Sequence, residues 1–225
     1  MAAKEKEPEA KDEKTKIPEA KKPAPEKASE ECEIKPPRAV CVALPHEGKP
    51  VRVLGNSPTE FISTLHKSVL AWVNFTVCDV EKEGAEIAAV LGFSASLVPE
   101  VCKGYHANFI DRETEIGIMV PAVMIKKLEI KSYPLLILAR KDLIVTLHSE
   151  EVERLVQFSR YADNYMRKLP GSMPLEEKLT MMLVRILDEN NSRNFEYLRE
   201  IEEMADGMSE MLLDPKSPRL QVGRQ

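Results

Sequence analysis

The chain has 225 residues, 43% apolar and 31% charged, with a net charge of −5. That length holds one or two domains with a sizeable core, and with only 5% aromatics the core must be largely aliphatic. The acidic balance argues against a general nucleic-acid binder. The longest apolar run, Ile116 to Ile125, is only about half a membrane span and contains Gly117 and Pro121. The chain as it stands is therefore not expected to cross a bilayer. Cys32, Cys41, Cys78 and Cys102 have no C-x-x-C spacing and follow no apolar leader, so reduced thiols are the expectation.

Residues 1–38 carry ten basic and ten acidic residues and six prolines, with almost no large apolar side chains. Nothing there offsets the entropy of ordering, and a disordered tail is predicted. Ala39 to Leu44 and Val51 to Leu54 flank a hairpin-like turn. Phe61, Ile62, Leu65 and Val69 recur at helical spacing, which predicts a short helix. Val69 to Val77 is apolar on both faces apart from Asn74 and Thr76, the pattern of a central strand covered on both sides. Asp79 offers a helix cap, and Ile87, Val90 and Leu91 form one apolar stripe. Gly92 is placed to stop that helix in a left-handed conformation. A second short helix, from Ser96 to about Cys102, admits Pro99 in its first turn.

Lys103 to Thr114 is polar and reads as a loop, and Glu115 to Ile125 as a strand with Pro121 at a bulge or edge. Pro134 to His148 is a hairpin turning at Arg140-Lys141-Asp142. Ser149 is expected to cap a helix whose buried stripe is Val152, Leu155, Val156, Ser159, Ala162 and Met166, stopped by Pro170-Gly171. A long helix then runs from Pro174 to about Leu213, roughly 60 Å at about 1.5 Å per residue. Its stripe is Leu187, Asn191, Asn194, Leu198, Ile201, Ala205, Met208 and Leu212, alternating four and three, with polar residues interrupting it from Asp188 to Asn194. Leu175 to Asp214 holds eleven acidic and four basic residues, net −7. That is either a solvated helix face or a surface that concentrates cations.

No Gly-rich phosphate loop, H-E-x-x-H, G-x-S-x-G or zinc spacing is present, and the four histidines are scattered. No nucleophile is paired with a base in the sequence, and no enzyme activity is predicted. Carboxylates are the remaining candidates. Glu100 sits beside apolar Val98 and Val101, and Asp188 directly follows Ile186-Leu187. Hard cations favour oxygen ligands and keep several waters, so one or two carboxylates per site suffice.

Three stretches together resemble the cytoplasmic domain of the CorA family of divalent-cation channels. AWVNFTVCD, an amphipathic helix and LGFSASLVPEV are similar to the family's strand, helix and L-G-I-H-P-L-x-L-E-D segment. Pro134 to Glu151 resembles its hairpin. RILDENNSRNFEYLREIEE resembles its long acidic helix, and the likeness covers roughly residues 40–214. The Gly-Met-Asn that ends the family's first membrane helix is absent, since Gly207-Met208-Ser209 lies in a charged helix. The resemblance therefore implies a soluble part of a longer transporter, with a stalk and two membrane helices following near Arg219.

The resemblance also implies an α/β fold: a mixed sheet between helix layers, followed by a long projecting acidic helix. Its division would be a tail at 1–38, an α/β domain at 39–171, the acidic helix at 172–214 and the start of a stalk at 215–225. The family's regulatory metal sites lie between subunits, and their carboxylates align with Glu100 and Asp188. The other acidic residue of the first segment aligns with Pro99, a departure. The implied function is a regulatory domain at the cytoplasmic face of the cell membrane. It would bind Mg2+ or Co2+ weakly in a homo-oligomer, pentameric in the family, and gate a pore that this chain does not contain. The alternative is a helical interaction module whose carboxylates only solubilise it.

Overall fold

Strand-forming runs that alternate between two apolar faces assemble one seven-stranded sheet, seen in a computed structural model that describes residues 37–104, 107–126, 129–192 and 194–213. All lie within one unit, Glu33–Gln225. The predicted tail, apart from Pro37 and Arg38, and the predicted stalk fall outside the described residues. The strands are β1 (Ala39–Pro45), β2 (Val51–Gly55), β3 (Ser68–Thr76), β4 (Asn108–Asp111), β5 (Glu115–Lys126), β6 (Glu129–Arg140) and β7 (Leu143–His148). Their order is β2-β1-β3-β7-β6-β5-β4, with β3 and β7 parallel and the other neighbours antiparallel.

Side-chain parity along β3 splits the core in two. Val73 and Phe75 join Leu136, Leu138, Val145 and Leu147 on one face. Trp72 joins Leu135, Ile137 and Ile144 on the other. The first face is covered by α1 (Ile62–His66), α2 (Lys82–Val90) and α3 (Leu97–Cys102). The second is covered by α4 (Glu153–Ser159), α5 (Ala162–Lys168) and α6 (Leu175–Asn191); α7 (Asn194–Leu213) follows. The expected mixed sheet between helix layers is therefore present.

Local signals explain most of the elements. Asp79 Oδ1 accepts the N–H groups of Glu81 and Lys82 at 3.1 and 3.0 Å, as a capping carboxylate should. Glu83 returns to the N–H groups of Cys78 and Asp79 at 2.7 and 3.1 Å. Gly92, at φ 83°, ends the segment in the left-handed region. Val90 is exposed, and Gly84, Ile87, Ala88 and Leu91 are the buried positions instead. Gly84 lets the helix lie close on the sheet, since a Cβ there would sit 3.4 Å from Leu136.

The sequence and the structure part company at several places. Asn108–Asp111, expected as loop, is a four-residue edge strand paired only with β5. The helix expected after Ser149 breaks at Arg160-Tyr161 into α4 and α5. That break turns the Tyr161 ring onto Phe158, with centroids 5.2 Å apart. Ser149 caps nothing through its hydroxyl; its carbonyl instead accepts from Val152 N–H and from His148 Nδ1. The long C-terminal helix is present as expected, in two parts, α6 and α7; Ser192, at the end of α6, keeps helical φ and ψ of −57° and −27°, and its hydroxyl donates to the Glu189 carbonyl at 3.0 Å.

The expected stripe on that segment is also shifted. α6 buries Met182, Ile186, Glu189 and Asn190, while Leu198, Ile201 and Met208 of α7 are exposed. The segment leaves the sheet where Asn190 Nδ2 donates to the Pro121 carbonyl at 3.1 Å, so few sheet residues remain for α7 to meet. Cys41 and Cys102 are free thiols, as expected. Cys78, exposed just beyond β3, is disulfide-bonded. The reduced-thiol expectation fails there, where an exposed sulfur has room to pair.

A polar chain crosses the second core face. Trp72 Nε1 donates to Thr146 Oγ1 at 3.0 Å, which donates to Asn74 Oδ1 at 2.6 Å. His148 Nε2 lies 3.0 Å from the same oxygen, and Nδ1 donates to the Ser149 carbonyl at 2.7 Å. Burial holds the imidazole pKa down at about 4, against the opposing pull of that carbonyl.

Candidate functional site

Glu100 and Asp188 stand on opposite faces of the sheet. α3 is fixed by Leu97, Val98 and Val101, all buried on the first face. It lies close over β5 because Gly117 has no side chain; a Cβ there would fall 2.6 Å from Val101. Glu100, between those anchors, points outward and is 41% exposed. α6 is fixed by Met182 and Ile186 on the second face. Asp188, two residues beyond Ile186, is 63% exposed. The structure therefore does not bring the two predicted residues together in one chain. Among the described residues, no three or more His, Cys, Asp or Glu side chains gather as they would to hold a metal ion.

Each carboxylate meets an arginine that the sequence reading did not single out. Arg112 Nη2 donates to Glu100 Oε2 and to Ser96 Oγ, both at 2.9 Å. Its Nη1 donates to Glu115 Oε1 at 2.9 Å. Glu115 is 7% exposed and also accepts the Ser94 N–H at 2.9 Å. Burial opposes ionisation of Glu115, but the bonds from Ser94 and Arg112 outweigh it, and the pKa falls below the usual range.

The second arrangement repeats the first with different residues. Arg185 Nη1 donates to Asp188 Oδ2 at 3.1 Å, and its Nη2 is paired with Glu189. Glu189 is 7% exposed and accepts the Tyr161 hydroxyl at 2.5 Å. Burial, then the Glu189 hydrogen bond, raises the Tyr161 pKa. The Arg185 guanidinium lies 5.9 Å from the ring centres of both Phe158 and Tyr165, within cation–π range. Arg185, Asp188 and Glu189 have i, i+3 and i, i+4 spacing, a signal legible in the sequence. Arg112 reaches back to Glu100 from just after β4, which spacing alone does not reveal.

A groove of about 670 Å3 elsewhere is lined by His46, His66, Arg140, Lys141 and Asp142. Its Arg140 lies 5.6 Å from the centre of the Phe93 ring, beside the end of α2, a structural role for the cation. Among the described residues no helix is long and apolar enough to cross a membrane.

A mixed sheet between two helix layers, leading into an acidic helical segment, with outward carboxylates on both faces, makes this an α/β domain with a long C-terminal helical extension. The chain belongs to the family described as CorA-like Mg2+ transporter protein, whose sequence pattern matches residues 68–224. Its fold is that of the soluble domain of CorA from Methanocaldococcus jannaschii: TM-score 0.56 at 16% identity, covering 80% of this chain and 66% of that one. The complete CorA magnesium transporter from the same organism matches at TM-score 0.44 and 14% identity, over 77% of this chain and 55% of that one. The full-length CmaX protein matches at 0.46 and 15%, over 78% and 54%. The chain thus spans about half the length of those two full-length proteins. No curated protein matches it.

Proposed function

We propose that this chain is the metal-sensing regulatory domain of a divalent-cation transporter, standing at the cytoplasmic face of the membrane, with Glu100 and Asp188 as its responsive groups. One observation carries this reading: two exposed carboxylates on opposite outer surfaces of one domain. A head-to-tail contact between copies would set Glu100 of one against the Asp188 surface of the next, and such heterologous contacts form a ring when the rotation between copies closes. Both residues are hard oxygen donors with room for hydrated Mg2+ or Co2+, and one or two carboxylates suffice for such ions. They fit as half-sites, each incomplete without a neighbouring copy.

A bound divalent ion supplies the charge that lets facing carboxylates approach. Uncompensated, the carboxylates repel, the copies loosen, and a pore attached to them is free to open. This regulates the pore if the closed arrangement binds metal more tightly than the open one. Weak binding is expected, because Pro99 stands where the family has a second carboxylate. Millimolar Mg2+ or Co2+ should raise the melting temperature, and Glu100→Ala or Asp188→Ala should each remove part of that rise. Absence of a shift with either metal refutes the site assignment and leaves the fold untouched.

A second reading, a helical interaction module, is favoured by the exposed Phe195, Leu198, Ile201, Met208 and Met211 of α7. An oligomer insensitive to metal selects it over the first.

A further inference from the structure

The same three-part arrangement occurs twice, once on each face. An exposed carboxylate shares an arginine with a buried glutamate: Glu100, Arg112 and Glu115 on one side, and Asp188, Arg185 and Glu189 on the other. In each case the arginine keeps other partners when the exposed carboxylate is taken away. Arg112 retains Glu115 through Nη1 and Ser96 through Nη2. Arg185 retains Glu189 and its seat against Phe158 and Tyr165. An arginine whose only partner was the exposed carboxylate would be stranded by metal binding. These two are not, so exchange costs only the outer contact.

We propose that Arg112 and Arg185 are built-in competitors of the divalent cation, each occupying its exposed carboxylate when metal is scarce and raising the metal concentration needed to displace it. This rests on the reading of Glu100 and Asp188 as the responsive groups. The arginines are positioning residues. They set the threshold of the response and would contact no metal themselves. The buried glutamates hold them in reach, which makes the threshold a property of the folded domain rather than of a loose surface pair.

The test uses the full chain at fixed protein concentration, with the melting temperature followed against Mg2+ and, separately, Co2+. Binding to the folded form alone raises Tm, and the concentration dependence yields an apparent affinity. Arg112→Gln removes the competing charge and should lower the half-effective metal concentration about two- to fivefold, the range expected for releasing a partly exposed ion pair. Arg112→Lys keeps the charge and should restore a midpoint near that of the parent. A purely structural role would lower the metal-free Tm of Arg112→Gln but leave the midpoint where it was. Arg185→Gln tests the second arginine independently, so the proposal remains testable should one variant fail to fold. An unchanged or higher midpoint in the glutamine variants overturns the competition and leaves the carboxylate reading standing. No metal response in the parent or in either variant overturns both.

Discussion

His148 gives the sharpest test of the core, because its protonation is tied to folding. Its side chain is fully enclosed on the second face, and burial holds its pKa at about 4 rather than the usual 6.5. Above pH 6.5 the imidazole is neutral in both folded and unfolded chains and contributes no pH dependence. As pH falls below 6.5 the unfolded chain takes up a proton that the folded chain refuses, so stability is lost down to about pH 4 and levels off below it. At about 1.4 kcal/mol per pH unit, the loss at pH 5 is about 2 kcal/mol, rising to about 3 kcal/mol near pH 4. The assay is urea unfolding at pH 7.5 and pH 5 for the parent and for His148→Gln. Carboxylates with lowered pKa, Glu115 among them, add their own acid sensitivity, mostly at lower pH, and it is common to both proteins. The difference between the two proteins isolates the histidine. A parent that loses no more stability than His148→Gln between these pH values refutes the argument.

Two further substitutions probe the elements that place Glu100 and the helix before it. Gly117→Ala puts a Cβ 2.6 Å from Val101 and 3.0 Å from Leu97. It should cost about 1–3 kcal/mol in a denaturant melt by overpacking, and it should blunt any metal-induced Tm rise by displacing α3. Wild-type stability for this variant would show that α3 does not rest on β5 as described. Asp79→Ala removes the acceptor for the Glu81 and Lys82 N–H groups and should cost about 0.5–2 kcal/mol. An unchanged denaturation midpoint would mean that Glu83 alone suffices to start α2.

Strong local signals made much of this fold legible. Val69 to Val77 reads as a doubly covered strand because seven of its nine side chains are apolar, and β3 lies between β1 and β7 with Trp72 and Phe75 buried on opposite faces. The β6–β7 hairpin and the turn at Gly92 were equally plain. What failed were features decided by tertiary context. β4 has four residues and an exposed Phe109, too little pattern to separate it from a loop. The apolar pattern puts the stripe on α6 one position late, because Glu189 and Asn190 are buried there. A polar residue counts as buried only when its partner is known, here Tyr161 and Arg185 for Glu189 and the Pro121 carbonyl for Asn190. Likeness to a family points to Glu100 and Asp188; the helical spacing of Arg185 to Asp188 is legible in the sequence, whereas the reach of Arg112 to Glu100 is not.

The separation of those two carboxylates follows from the parity of the sheet and is not a detail of surface rotamers. Leu97, Val98 and Val101 commit α3 to the face that carries Val73 and Phe75. Met182 and Ile186 commit α6 to the face that carries Trp72 and Ile144. With β3 buried on both faces, one layer cannot cross to the other without emptying a core. Burying a large apolar side chain contributes about 1.5–3 kcal/mol, so withdrawing α3 or α6 would cost about 3–9 kcal/mol, much of a domain's whole stability of about 5–15 kcal/mol. No fluctuation of one folded copy therefore brings Glu100 to Asp188. Any ion that depends on both must be held between copies, and its effect must then vary with protein concentration. Metal stabilisation that is abolished by either Glu100→Ala or Asp188→Ala, yet does not change on hundredfold dilution, would contradict this reasoning directly.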